Sequence, residues 1–396
     1  MRRMRRQVAK AATLLLALAP AVLAAGCGGR LQPSARVAGR AQIVFSWSGD
    51  KCDEADFADL AVRAVRDASG GVQLILPHFV NRRLIGPDLD HLGHPCAAVM
   101  PSDENARPAA FDDREWIASV YTLNGRKVFA LVHDEYQGNR HPGRCPSHVY
   151  RNCWYNAITL AVSRDSGARY AHARPPRQLV ASVPYRYMPH GGPVGMFAPS
   201  NIVRRKGYFY ALAQVIGRGG SPRGTCVLRT RNLAEPGSWR AWDGSAFRMR
   251  FVNPYLARGP ALPHRVCRPV SRREISQMHE SLTYNTLFKR FLLVDQSRAT
   301  NPATHKTVWG VYFSLSDDLV HWRRRQLLMA ATTAQSFKCG DPQPIAYPAI
   351  IDPNSTSRNF ETSGERAYLY FTRFNYSRCR RTQDRDLVRV PIEFSE

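Results

Sequence analysis

Lysine is scarce in this 396-residue chain: seven of its 56 basic side chains are lysines, and the rest are arginines. Acids are scarce too, at 31, which leaves a formal charge of +25. A basic excess of this size fits an anionic membrane face, an acidic polysaccharide or nucleic acid. The arginines are scattered, however, and cluster only at Arg323, Arg324 and Arg325 and at Arg378, Arg380 and Arg381. The charge therefore reads as surface character, and no nucleic-acid partner is expected. No C-x-x-C pair occurs, which removes the usual zinc-site spacings. Phosphate-binding loops, dinucleotide fingerprints, H-E-x-x-H and G-x-S-x-G are all missing. Nothing in the sequence calls for a cofactor or a metal.

Long apolar runs are also lacking. The longest, Val8–Leu23, is interrupted by Lys10, Thr13 and Pro20, and a bilayer span needs about 20 apolar residues. Its arginine-rich start and its small-residue end, Leu23-Ala24-Ala25-Gly26-Cys27, fit a cleaved secretion signal. That end resembles a bacterial lipobox, which makes Cys27 the lipidated N-terminus. The expected organisation is a signal peptide at 1–26, a lipidated tether at 27–40, and a folded domain at 41–396. Removing Arg2, Arg3, Arg5, Arg6 and Lys10 with the signal lowers the charge to +20. The expected location is periplasmic or cell-surface, anchored in the membrane through Cys27, with the protein monomeric.

Without Cys27 the cysteines number eight: Cys52, Cys96, Cys145, Cys153, Cys226, Cys267, Cys339 and Cys379. An even set in an exported chain reads as disulfides. Sequence alone leaves the connectivity open. Pairing by shortest loops joins Cys52 to Cys96, Cys145 to Cys153, Cys226 to Cys267 and Cys339 to Cys379.

What the chain does contain is repetition. Five segments share a plan of apolar strand, polar turn and second apolar strand, at 62–76, 116–132, 199–213, 281–294 and 347–372. Third strands follow at 82–85, 156–163, 225–230, 308–316 and 386–390. Polar turns between β-branched and aromatic runs are the hairpin signature. Past the signal, only Ala55–Ala68 has helical character, in competition with a strand. Antiparallel units of about 60 residues at a fixed period predict an all-β fold, a five-bladed β-propeller of four-stranded antiparallel blades. A pair of β-sandwiches is the competing architecture. Gln42–Ser46 is placed to add an outer strand to the C-terminal Val388–Phe394 and so close the ring.

Ser314-Leu-Ser-Asp-Asp-Leu-Val-His-Trp322 resembles the blade-end S-x-D-L-x-x-W of five-bladed propeller glycoside hydrolases of the arabinanase/β-fructosidase type. Ala198-Pro-Ser-Asn-Ile202 with Gly207-Tyr-Phe-Tyr210, and Tyr347-Pro-Ala-Ile-Ile-Asp352, resemble that family's inner-strand openings. The resemblance spans about residues 55–394, rests on structural motifs, and speaks for fold more than for activity. It implies carboxylates from several inner strands meeting in a central pocket, one as proton donor and one as base or nucleophile.

The openings supply Asp53, Asp56 and Asp59 in the first unit, and Asp112, Asp113 and Glu115 in the second. They supply Ser200 and Asn201 in the third, Glu280 in the fourth, and no acid in the fifth. Asp59, Asp113 and Glu280 are the candidate catalytic set. Glu135, in His133-Asp-Glu-Tyr136, joins them as a candidate general acid if buried. Alternation places His133 and Glu135 on one face and Asp134 and Tyr136 on the other. His78 and Asn81 follow the corresponding strand of the first unit. With His133, Trp154 and Asn201 they are the candidate carbohydrate contacts. The expected function is an exported glycoside hydrolase-like protein acting on or binding a glycan. The alternative is a non-catalytic propeller lipoprotein that binds a glycan or a partner protein.

Overall fold

The computed structural model describes residues 32–396 except 174, 176, 259–264 and 301–303. The signal peptide and Cys27 lie outside the described residues. Among these residues no helix is long and apolar enough to cross a membrane, and almost all regular structure is strand.

Each repeat segment forms an antiparallel meander. The first joins Arg63–Arg66, Val72–Leu76, Val80–Gly86 and Met100–Pro101. The second joins Arg114–Thr122, Val128–Gln137 and Trp154–Ser163, with short outer strands Ala171–His172 and Leu179–Ala181. In the third, Tyr208–Ile216 pairs with Val194–Phe197 and Val203–Arg205 on one side and Arg223–Thr230 on the other, followed by Arg240–Trp242 and Phe247–Met249. The fourth runs Ser281–Asn285, Arg290–Thr300, Thr307–Ser316 and Gln326–Ala330. The fifth joins Ile345–Ile351, Arg366–Phe374 and Arg385–Ser395. A parallel contact between Val194–Phe197 and Trp154–Ser163 merges the second and third meanders into one sheet.

The N-terminal segment completes the fifth meander. Gln42 faces Arg389 across the ladder, which is the closure expected for this segment. Ser34–Val37, inside the stretch read as a tether, is also a strand and pairs with Ile392–Ser395. Regular structure therefore starts ahead of residue 41. The helical character of Ala55–Ala68 is overridden: the chain is irregular until the strand at Arg63, because that strand must pair with Val72–Leu76.

Apolar packing lies between the meanders. One cluster joins the first and second through Ile75 and Val132, and another joins the second and third through Leu131 and Val215. Leu212 and Leu293 join the third and fourth, and Phe313 and Leu369 the fourth and fifth. Leu74 and Tyr370 then bring the fifth against the first, so the series closes on itself. Val72–Leu76 and Arg114–Thr122 are buried at every residue, because both faces of each inner sheet are covered. Such strands lack the alternation of a half-exposed sheet.

Ser314–Trp322 ends the strand at Ser316 and then turns. Ser316 Oγ accepts from Leu319 N (2.9 Å), Asp318 Oδ1 accepts from His321 N (2.8 Å), and Trp322 Nε1 donates to Leu319 O (2.8 Å). The four disulfides are those given by shortest-loop pairing, with Cα–Cα distances of 5.7, 5.8, 6.0 and 5.2 Å.

Two expected sugar contacts are structural instead. Asn81 is fully buried; its Oδ1 accepts from Ile117 N (2.7 Å) and its Nδ2 donates to Glu115 O (2.8 Å) and Met100 O (2.9 Å). Asn201 grips Leu282 in the next unit through both its N–H (2.8 Å) and its C=O. Asn359 does the same to Thr122, at 2.7 and 3.0 Å. A primary amide presents a donor and an acceptor side by side, which matches the backbone of an inner strand that has no strand partner there. Asn81→Ala takes this partner from one buried N–H and two buried C=O groups. It is expected to lower unfolding stability by about 2–3 kcal/mol in urea titration. Unchanged stability with a loss of glycan affinity would return Asn81 to the binding site.

Candidate functional site

A cavity of about 1030 Å³ opens where the five meanders converge, with lining residues from each of them. That is the upper end of the size range for small-molecule sites. The first unit contributes Asp59, His78 and Phe79. The second contributes Trp116, His133, Glu135, Tyr150 and Trp154, and the third Phe197 and Gln214. From the fourth come His279, Glu280 and Asp295, and from the fifth Tyr347, Arg381 and Arg385.

Strand alternation accounts for the second unit's share. His133 and Glu135 face the cavity, while Asp134 is buried behind them and accepts from Asp113 N (3.1 Å). Ala198 N–H donates to His133 Nδ1 (3.1 Å), and His133 Nε2 lies 3.3 Å from Glu135 Oε2 and 3.2 Å from Asn156 Nδ2. Gln137 Nε2 (2.6 Å) and the Tyr150 hydroxyl also donate to Glu135. The Gln137 amide, the Tyr150 hydroxyl and the His133 ring thus gather at one carboxyl. Trp154 stacks on Tyr150 with centroids 4.8 Å apart and meets Phe197 edge-on at 5.4 Å, so an aromatic wall adjoins this acid.

Opposite chemistry holds at Glu280. It lies at the start of Ser281–Asn285, beside Asp295 on the neighbouring strand. Burial, and then the Asp295 charge, push the Glu280 carboxyl well above the ordinary carboxylate range. Burial raises Asp295 as well, but backbone N–H groups of His279 (2.7 Å) and Glu280 (3.2 Å) point at Asp295 Oδ2. The pair thus shares one proton, held on Glu280, with the charge on Asp295. Beneath them the buried Arg63 donates to Glu280 O (2.6 Å) and Ala118 O (2.8 Å), and desolvation brings its guanidinium down to about 10.

Asp59 accepts from Tyr347 Oη (3.1 Å) and from Arg385, with Arg381 at 3.7 Å. Burial raises both tyrosine hydroxyls, with the Glu135 and Asp59 charges adding to it at Tyr150 and the Asp59 charge at Tyr347. Burial among Phe57, Phe79 and Trp116 pushes the His78 imidazole down to about 4, so this ring is neutral near pH 7.

Asp59, Glu135, Glu280, His78, His133 and Trp154 therefore share one cavity. Asp113 does not: it is buried behind the wall, accepting from Gln137 N (2.8 Å), with His141 Nε2 at 3.0 Å. Asp53 and Asp56 instead hold Arg82, and Asp56 also holds His94 (2.7 Å). Asp295 escaped the sequence reading. Its signal was its position, since Leu293-Val-Asp295 repeats Leu131-Val-His133. Away from the cavity, Asp103, Glu115 and His172 bring ligand atoms within 4.8 Å of one another, a set able to hold a divalent ion. Cys52 and Cys96, beside His94, are consumed by their disulfide.

No family model matches the sequence, and no curated protein matches it. Among solved structures the chain is similar to a sucrose-6-phosphate hydrolase from Lactobacillus gasseri, with a TM-score of 0.50 and 9% identity over 84% of this chain and 58% of that one. It also resembles the α-L-arabinanase of Cellvibrio cellulosa solved with arabinohexaose, at 0.49 and 10% over 84% and 91% of the two chains. A third neighbour is Zg3597, a family 117 glycoside hydrolase from Zobellia galactanivorans, at 0.48 and 8% over 90% and 91%. At 9% identity the likeness to the first of these is one of fold: the chain folds as a β-propeller.

Glu280 makes stability depend on pH. Its folded value lies above its ordinary 4.5, so the folded chain keeps a proton that the unfolded chain releases. Its contribution is complete below that ordinary value and is lost as pH rises through the raised one. Glu280→Gln is expected to lose less stability than wild type as pH rises above about 5, by about 1.4 kcal/mol for each pH unit over which the proton stays bound. Thermal unfolding across pH measures this; parallel curves would place an ionised Glu280 in the folded protein.

Proposed function

We propose that the protein is an exported glycoside hydrolase whose five meanders are the four-stranded blades of a five-bladed β-propeller. The cyclic series of apolar interfaces supports the blade count. In this reading residues 1–26 are the signal peptide, Cys27 carries the lipid, and a monomer faces the periplasm or the cell exterior.

One observation carries the activity: a carboxyl held protonated and a carboxylate surrounded by donors face the same cavity. Burial beside Asp295 singles out Glu280 as the proton donor. Glu280 gives its proton to the glycosidic oxygen as the bond to the anomeric carbon breaks. Glu135 takes a proton from the water that adds to that carbon. His133 and Tyr150 orient Glu135, burial and the Asp295 charge sustain the proton on Glu280 against the pull of Arg63, and Asp59 offsets the cationic Arg385. Trp154 and His78 give the sugar faces a wall to stack on.

A second reading, glycan binding without turnover, draws on Asp59, whose pairing with Arg385 and Tyr347 removes one acid from chemistry.

The test is release of reducing sugar from a panel of polysaccharides. Glu280→Gln and Glu135→Gln are each expected to lower kcat by about 10²–10⁴-fold while the protein stays folded. Wild-type activity is expected to fall as pH rises through the Glu280 value, because the acid must be protonated. A wild type that retains polysaccharide on a column but releases no sugar establishes the binding protein instead.

A further inference from the structure

Six arginines and no lysine line the cavity, against four carboxyl groups. Three of the arginines are accounted for. Arg385 and Arg381 lie on Asp59, and Arg114 donates to Glu104 (2.9 Å). The remaining acids are engaged elsewhere: the one charge of the Glu280–Asp295 pair faces the buried Arg63, and Glu135 is occupied by a histidine, a glutamine and a tyrosine. Arg151, Arg223 and Arg298 are exposed at the lining and face no carboxylate among the described residues. Arg223 Nε donates only to the neutral Gln277 Oε1 (2.8 Å), and Arg298 lies over the Trp309 ring at 5.0 Å. Arg151 belongs to the loop clipped by Cys145 and Cys153, which fixes its base beside Trp154.

These three stand on consecutive units: the second, third and fourth. A concave site with uncompensated cations concentrates anions, and a guanidinium fork matches the paired oxygens of a carboxylate or a sulfate. We propose that the cavity takes an anionic glycan, one whose sugars carry carboxylate or sulfate groups, and that Arg151, Arg223 and Arg298 read those groups. This rests on the reading of the cavity as a glycan site. Glu280 and Asp295, carrying one charge between them, keep the floor from repelling such a chain.

Titration calorimetry at low salt tests it, using neutral arabino-oligosaccharides, oligogalacturonates and sulfated galactan oligosaccharides of equal length. The proteins compared are wild type, the triple variant Arg151→Gln, Arg223→Gln, Arg298→Gln, and a charge-matched control, Arg323→Gln, Arg324→Gln, Arg380→Gln, placed off the cavity. At least one anionic arm is expected to bind wild type about tenfold or more tighter than the neutral arm, and which arm does so identifies the anion. The triple variant is expected to lose that preference, while the control keeps it. If neutral chains bind as tightly as both anionic arms, or if triple variant and control behave alike, the anionic preference falls and the glycan reading stands. If no oligosaccharide binds wild type, both fall.

Discussion

A single buried guanidinium holds the centre of this protein together. Arg63 leaves the first inner strand and donates to Ala118 O in the second unit and Glu280 O in the fourth, with Val62 O at 3.2 Å. A buried cation is costly unless hydrogen bonds and nearby negative charge surround it. Arg63 has both: carbonyls accept its N–H groups, and the Asp295 charge counters its desolvation. The dependence runs both ways: the guanidinium keeps a charge on Asp295 tolerable, and that charge keeps the proton on Glu280. Inner strands of a closed ring diverge too far to hydrogen-bond one another along their whole length. Side chains must bridge them, and Arg63, Asn81, Asn201 and Asn359 do so.

That bridging explains the unequal distribution of acids. In the third unit, Ser200 Oγ accepts from Leu212 N (2.9 Å) and Asn201 clamps Leu282. The place where an acid was sought is filled by residues that hold the ring shut. The second and fourth units, by contrast, pair an inner strand with a neighbour whose side chains reach the cavity at matching positions, His133 in one and Asp295 in the other. Repetition of the strand plan supplied the positions, and local donors decided what each carboxyl does there.

Much of the architecture was legible because repeats leave a periodic trace. Apolar–turn–apolar segments marked each hairpin, and Gln42–Ser46 announced the closing strand. The shortest-loop disulfides hold because each joins segments that a meander already brings near. The role of asparagines was not legible. Asn81 and Asn201 are polar residues beside turns, and a sequence does not say whether an amide meets a sugar hydroxyl or an uncovered backbone pair. Asp113 failed for a related reason: at the mouth of an inner strand, a shift of one residue turns a side chain from the cavity to the wall behind it.

The sequence by itself determined the strand plan, the fivefold repetition, the disulfide candidates and a short roster of acids, because these depend on local pattern and spacing. Only the tertiary structure decided which acids meet, that Asp295 belongs with Glu280, and which of them keeps its proton. Burial and opposing charges act across strands that lie far apart in the chain. A protonation state is set by that three-dimensional field, which no local pattern encodes.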